Sequence, residues 1–193
     1  MMRRSLIAQT PLLQRVAQWD VRVSLALQER RGPVLNSVMQ ALSWSGAGGV
    51  WGLVGGGGYA MHRLGIDLFP ETPKFLSCML GSFVVLLVGG VIKSAAGRKR
   101  PFMADIGVKA AIWAPGKARS FPSTHAATSM LLATALLFTG HVYGPHVLIW
   151  AIGVTFSRVW LGVHFASDVI AGTVLGVAFG FLPWMVIASL GFG

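Results

Sequence analysis

His164 and Asp168 are the pair of side chains in this sequence best suited to nucleophilic chemistry. They are four residues apart, so on a helix they lie one turn from each other on the same face, and the carboxylate can accept a hydrogen bond from one ring nitrogen. That bond would fix the tautomer and leave the other nitrogen unprotonated, as a nucleophile or general base requires. The alternative is a helix-surface pair without a function, which an apolar environment disfavours because ionisable groups are costly there.

A second set of polar residues has the composition of a phosphate site. Lys93, Arg100 and Arg158 supply positive charges, and arginine forks match phosphate oxygens in bidentate fashion. Ser123 is placed to cap a helix whose free N–H groups bind anions, and His125 lies in the same turn. Alone, a capping serine and a packed histidine are usually structural, but their combination with the cations favours a functional site.

The elements that carry these residues are apolar. The chain has 193 residues, of which 54% are hydrophobic and 11% charged, with a mean hydropathy of +0.66. A bilayer accommodates this balance better than water does, and a helix of about 20 apolar residues crosses it. The apolar runs predict about five spans, at approximately 46–61, 74–94, 122–139, 143–160 and 165–190.

The predicted fold is therefore all-α: a polytopic membrane helix bundle of about five transmembrane helices, plus an N-terminal amphipathic interfacial helix. Residues 1–33 form the N-terminal amphipathic segment, and residues 34–193 form the transmembrane domain. The polar connector at 102–121 is longer than ordinary helix connections, which makes it a candidate functional loop or lid.

The N-terminal helix is predicted from Thr10-Pro11, which has the form of a cap followed by a first-turn proline. Its apolar face consists of Leu12, Val16, Trp19, Val23 and Leu27. Two arrangements fit this pattern: a helix in the membrane interface with its arginines toward anionic lipid, and a helix packed on its own domain.

The order of the spans places the polar clusters together. The end of the second span, the start of the third, the end of the fourth and the start of the fifth share one membrane face. His62, His141 and His146 fall at the opposite face, where we expect them to be interfacial rather than catalytic. Cys78 is the only cysteine, so a disulfide within the chain and a cysteine-based metal site are excluded.

The net charge of +10, from 16 Lys and Arg against 6 Asp and Glu, could indicate nucleic acid, an anionic membrane surface or an acidic substrate. The basic residues concentrate at the N-terminus and in one loop between apolar runs, beside lipid headgroups, so we expect no nucleic-acid partner. Arg98 and Lys99 are expected to be an ordinary positive flank. The count of Lys and Arg places the clusters on the cytoplasmic side of the cell (inner) membrane.

Three motifs resemble those of the type-2 phosphatidic acid phosphatase superfamily, which includes bacterial membrane lipid phosphatases. They are Lys93-x6-Arg100-Pro101, Pro122-Ser123-Thr124-His125 and Ser157-Arg158-x5-His164-x3-Asp168. Their order and separation also fit, and the resemblance covers roughly residues 34–185. Thr124 departs from the pattern, because the family usually has glycine at that position. Many bacterial members act on the outer face of the cytoplasmic membrane, which conflicts with the charge count and leaves the face of the site open.

The resemblance implies roles for these residues. His164 would attack phosphorus and form a phosphohistidine, Asp168 would hold its far nitrogen, and His125 would protonate the leaving oxygen and later activate water. The phosphoryl oxygens would be bound by Lys93, Arg100, Ser123, Thr124 and Arg158. The resemblance implies neither a metal nor another cofactor.

The first hypothesis for function is hydrolysis of a phosphomonoester or diphosphate on a lipid. The candidate substrates are phosphatidylglycerophosphate, phosphatidate, a polyprenyl phosphate or diphosphate, and lipid A. The expected partners are this lipid phosphate and membrane lipids, and the sequence indicates no oligomeric state. Two alternatives remain: a non-catalytic anionic-lipid binder or transporter that uses the same cations, and a phosphotransferase in which an alcohol replaces water at the phosphohistidine stage.

Overall fold

Helices form the regular structure in the computed structural model, which describes residues 10–47, 57, 60–61, 63–66, 72–114, 119–138 and 140–189. The long helices are α1 (Pro11–Glu29), α2 (Pro33–Ser45), α3 (Thr72–Ala96), α4 (Thr124–Phe138), α5 (Gly144–Trp160) and α6 (Ala166–Ser189). A short 3-10 turn spans Pro101–Met103. No strand occurs within these ranges, which confirms the all-α prediction.

The last four predicted spans coincide with α3 to α6 to within a few residues. Within the described ranges, one stretch, Gly81–Met103, is long and apolar enough to cross a bilayer, and the apolar parts of α4 and α6 are shorter. The first predicted span, 46–61, lies largely outside the described residues. The count of five spans and the division at residue 33 stay predictions.

Helix α4 is the centre of the bundle and packs against α3, α5 and α6. Ten consecutive residues, from Ala126 to Ala135, are buried. These residues are small or apolar around the whole circumference of the helix, and a helix of this composition is stable only when it is surrounded by others.

Glycines on α6 set the distance between α4 and α6. Gly172, Gly176 and Gly180 recur every fourth residue, and so lie along one face. A Cβ atom at Gly172 would lie 2.3 Å from the carbonyl oxygen of Ser123, and one at Gly176 would lie 2.2 Å from that of Ala127. The two backbones therefore touch, as in small-residue packing of membrane helices.

The N-terminal helix α1 packs on the bundle through its second half. Val23 and Leu27 contact the cluster around Val159, and Asp20 and Ser24 are fully buried. In its first half, Leu12 is 71% exposed and Trp19 45% exposed. For the second half, the structure therefore favours the packed arrangement over the interfacial one, because this face meets protein.

Hydrogen bonds hold the first part of the predicted lid, at residues 107–111, against the N-terminal part of the chain. Gln28 on α1 donates to the carbonyl oxygen of Gly107 at 3.1 Å and accepts from the N–H of Lys109 at 2.6 Å. Arg31 donates to the carbonyl oxygens of Lys109 and Trp160, at 2.5 and 2.7 Å, and Gln40 donates to that of Ala111 at 2.6 Å. This part of the connector is thus a fixed support, and the lid prediction is wrong for it. Residues 115–118 lie outside the description.

We predict that Gly176→Ala destabilises the protein by about 1–3 kcal/mol, the usual cost of overpacking, because a backbone carbonyl cannot move aside as a side chain can. Thermal unfolding in detergent measures the effect. Gly90→Ala on α3 is the matched control, since a Cβ atom there meets nothing within 4 Å. Equal melting temperatures for the two variants would contradict the close contact of α4 and α6.

Candidate active site

The predicted site residues gather at one end of the bundle. Lys93 lies in the last turn of α3 and Arg158 in the last turn of α5, while Ser123 and His125 lie at the start of α4. His125 is within electrostatic range of Lys93, Arg100, Arg158 and His164. His141 and His146 lie at the opposite ends of α4 and α5, as predicted, and His62 lies outside the described residues.

Burial divides this cluster into a floor and a mouth. The floor consists of the buried residues Arg100, Ser123, Arg158, His164 and Asp168. The mouth consists of the partly exposed residues Lys93, Thr124 and His125. These three residues are therefore the part of the cluster that solvent reaches.

His164 lies in the turn before α6, because the helix begins at Ala166. The prediction that His164 and Asp168 occupy one helix is therefore wrong, although the two side chains still face each other. His164 Nδ1 is 3.7 Å from Asp168 Oδ2, which is longer than a hydrogen bond, and it has no hydrogen-bond partner among the described residues. Asp168 Oδ2 instead accepts the N–H of Phe165 at 2.8 Å and the hydroxyl of Ser120.

The environment of His164 keeps its imidazole neutral. Burial, together with the nearby Arg158 and Arg100 guanidinium groups, lowers the pKa of His164 to about 4, although the Asp168 carboxylate acts in the opposite direction. A neutral imidazole at pH 7 carries a lone pair, which a nucleophile needs.

Ser123 precedes α4, but its side chain does not cap the helix as predicted. Its backbone N–H donates to the carbonyl oxygen of Asp168 at 2.9 Å, and its buried Oγ has no partner among the described residues. The Thr124 methyl group lies over Gly89 of α3, where an added Cβ would be 3.3 Å away. The absent side chain at Gly89 thus provides the space that threonine needs in place of the usual glycine.

Several buried polar atoms on the floor of the site have no hydrogen-bond partner in the part of the chain that the structure describes. Arg158 donates from Nη1 to the hydroxyl of Ser43 on α2, but its Nε is unpartnered. The same holds for Arg100 Nε, Ser123 Oγ and His164 Nδ1. Unpaired buried donors cost free energy, about 1–3 kcal/mol each, so their concentration at one place indicates a binding site for an anion.

Arg98 was expected to be part of a positive flank, and that prediction is wrong. Its Nη1 donates to Asp168 Oδ1 and its Nη2 to Asp20 Oδ2, both at 2.7 Å. Sequence reasoning also missed Ser43 and Ser120, which contact Arg158 and Asp168. It likewise missed Asp20 and Ser167, which contact Arg98. One signal was available, since Asp20 lies four residues after Val16 on the apolar face of α1, where a carboxylate needs a partner.

Among the described residues, no three His, Cys, Asp or Glu side chains come together so that they could hold a metal ion. The cations of the floor and mouth, Lys93, Arg100 and Arg158, are charged residues that could neutralise a bound anion. Cys78 is buried on α3 against Leu132 and Ala135, far along the bundle from the site.

Comparison with known proteins agrees with the motifs. The PAP2 superfamily model matches residues 74–190. Undecaprenyl-diphosphatase BcrC of Bacillus subtilis is 31% identical over 127 residues, which is 64% of this chain and 65% of that protein. Decaprenylphosphoryl-5-phosphoribose phosphatase of Mycobacterium tuberculosis is 33% identical over 132 residues, or 67% of this chain and 69% of that protein. The chain thus spans about two thirds of the length of these relatives, and slightly less for the first.

Among solved structures, the chain resembles the crystal structure of the first transmembrane PAP2 type phosphatidylglycerolphosphate phosphatase from Bacillus subtilis. The TM-score is 0.72 at 25% sequence identity, and the match covers 96% of this chain and 90% of the other. The likeness extends beyond the motifs to nearly the whole helix arrangement.

We predict that His164 stays neutral well below the usual histidine range. Its folded pKa lies below the reference value of 6.5, so the proton is bound only when the pH falls to about 4. Nuclear magnetic resonance of protein labelled with nitrogen-15 in histidine measures this titration, and His164→Ala assigns the signal. A midpoint at or above 6.5 would contradict the buried position of the ring.

Proposed function

Since the chain belongs to the PAP2 superfamily, whose model matches more than half of its residues, we propose that it is a lipid phosphatase. It hydrolyses a phosphomonoester or diphosphate on a lipid through a phosphohistidine intermediate on His164.

The observation that carries this proposal is the set of buried atoms without partners on the floor of the site. Arg100 Nε and Arg158 Nε are donors on side chains within electrostatic range of the His164 imidazole, and Ser123 Oγ belongs to a residue whose backbone N–H contacts Asp168; these three atoms have no partner among the described residues. A phosphoryl group offers several oxygens to such donors and a phosphorus atom to the imidazole. Preorganised donors of this kind stabilise the charge of a phosphoryl-transfer transition state.

The first chemical step is attack on phosphorus by His164. Nδ1 is the nitrogen nearer to Asp168, so Nε2 is the nitrogen that bonds to phosphorus. As the nitrogen–phosphorus bond forms, the bond to the leaving oxygen breaks, and His125 gives that oxygen a proton. In the second step His125 takes a proton from water, whose oxygen bonds to phosphorus and displaces His164.

His125 must be protonated to act as an acid. Lys93, Arg100 and Arg158 all lie within electrostatic range of it. A phosphate group bound among them brings negative charge that offsets their field and favours the imidazolium form. Binding of substrate thus favours protonation of His125, so the general acid forms when the site is occupied.

A lipid fits the position of the site. The mouth residues lie at one end of a bundle of apolar helices, where a headgroup would be held while its chains stay in the bilayer. The two relatives named above act, by their names, on polyprenyl compounds, so a polyprenyl diphosphate and a polyprenyl phosphate come first among the candidates. Phosphatidylglycerophosphate, phosphatidate and lipid A complete the set.

We predict that the purified protein releases inorganic phosphate from at least one of these lipids in EDTA, and that His164→Ala lowers kcat by at least about 10³-fold. The variant loses the nucleophile, which the cations cannot replace. His146→Ala is the control, because this exposed residue lies at the opposite end of α5. Undiminished turnover in His164→Ala would overturn the mechanism.

A second prediction concerns the intermediate. Brief exposure to lipid labelled in its phosphate is expected to leave label on the protein that is lost in acid and stable in base, as for phosphohistidine. His125→Ala is expected to retain more label than the natural protein, because water is activated slowly. Turnover without label in either protein would indicate direct attack by water.

A further inference from the structure

The guanidinium of Arg98 joins parts of the chain that are distant in sequence. It donates to Asp168 Oδ1, to Asp20 Oδ2 and to Ser167 Oγ, each at 2.7 Å. Its charged end also lies 4.3 Å from the centre of the Phe165 ring, in a cation–π contact. The α1 helix, the start of α6 and the turn that carries His164 thus meet at one side chain.

Asp20 caps the start of α6 from another helix. Its Oδ1 accepts the N–H of Ser167 at 2.9 Å, one of the first-turn N–H groups that a helix cannot pair itself. Asp168, in the same turn, accepts the N–H of Phe165, as an acidic residue does at the third position of a capping box. Two carboxylates therefore share the start of α6, and Arg98 lies between them and offsets their repulsion.

The hydrogen atoms available allow one arrangement of this network. Ser167 has a single hydroxyl proton, which it gives to Asp20 Oδ2, so it accepts from Arg98. Arg98 Nη1 carries two protons, one for Ser167 and one for Asp168. Neither the guanidinium nor the Asp168 carboxylate can rotate without the loss of a charge-assisted hydrogen bond.

We infer that Arg98, held by Asp20, is a positioning residue that fixes the Asp168 carboxylate toward His164 in the proposed phosphatase. Asp168 Oδ1 accepts a hydrogen bond from Arg98, and Oδ2 accepts hydrogen bonds from the Ser120 hydroxyl and the Phe165 N–H. The carboxylate is thus locked in its plane, with Oδ2 toward His164. The expected effect of Arg98 on turnover rests on the proposed function. Its expected effect on the titration of His164 does not.

The neighbouring Lys99 provides a matched comparison. It carries the same charge one residue along the chain and is exposed. If Arg98 acted only through its general charge, Lys99→Gln would have a similar effect. If Arg98 acts through its fork of hydrogen bonds, Arg98→Gln has an effect that Lys99→Gln lacks, and Arg98→Lys restores only part of it, because an ammonium group cannot reproduce a planar fork.

The experiment measures the titration of His164 by nuclear magnetic resonance. Separately, it measures kcat and KM at a pH well above the His164 midpoint of every variant. In Arg98→Gln the Asp168 charge acts on His164 without compensation, so the midpoint is expected to rise by about one unit. The other charged groups that face His164 are unchanged in this variant: Arg100, His125 and Arg158. We expect kcat to fall by about 10²-fold, because Arg98 holds the carboxylate that orients His164. We expect KM to change by less than about threefold, because Arg98 does not bind phosphate.

Two further variants separate positioning from general loosening of the site. Asp20→Asn keeps Arg98 and removes a negative charge, so kcat is expected to fall while the midpoint does not rise. Leu27→Ala weakens the packing of α1 on α5 and α6 without changing the network, so it is expected to lower the melting temperature and leave the midpoint in place. A loosened site would admit water to His164 and raise the midpoint in all three variants.

The inference is overturned if Arg98→Gln has the same His164 midpoint and the same kcat as the natural protein. It is also overturned if Leu27→Ala or Lys99→Gln changes both quantities as much as Arg98→Gln does. If Arg98→Gln does not fold, Asp20→Asn decides, and a natural kcat there overturns the inference. Failure of the proposed function looks different: the natural protein then releases no phosphate from any lipid in the panel, while the titration still reports on Arg98.

Discussion

The structure depends on the burial of positive charge at one end of a helix bundle. Arg100 and Arg158 are buried, Lys93 lies beside them, and Asp168 is the carboxylate near them, already bound to Arg98. Burial of unpaired cations is costly, so the fold must hold these residues by means other than their mutual interaction. In the proposed function, a bound phosphate group supplies the missing negative charge, and its attraction to the cations offsets part of the cost of burying them.

The helices that hold the cations are kept close by their smallest residues. Gly172 and Gly176 let α6 touch the backbone of α4, and in this contact Ser123 donates its N–H to the carbonyl oxygen of Asp168. The start of α4 and the start of α6 are thus fixed to each other next to His164. Geometry at the site is set by backbone contact between helices, which varies less than contact between long side chains.

Local sequence patterns predicted much of this arrangement, but contacts between distant parts of the chain did not follow from them. The helix limits, the clustering of the three motifs and the exclusion of His141 and His146 followed from apolar runs and chain order. Arg98 and Lys99 look alike in sequence, since both follow an apolar helix. They differ because Asp20, 78 residues from Arg98, lies within reach of one and not the other. The position of His164 before α6 was missed because the helix begins two residues later than the spacing indicated.

The bond between Asp20 and Ser167 also bears on biosynthesis. These residues are 147 positions apart, and α1 leaves the ribosome well before α6. Contacts of such high sequence separation form late, because the chain between them must first be ordered. The charged network would therefore close only after the final described helix has been inserted, and a nascent chain arrested before that point would hold its arginines without the ordered pocket. Ribosome-bound fragments that end before α6 should accordingly lack this charged network.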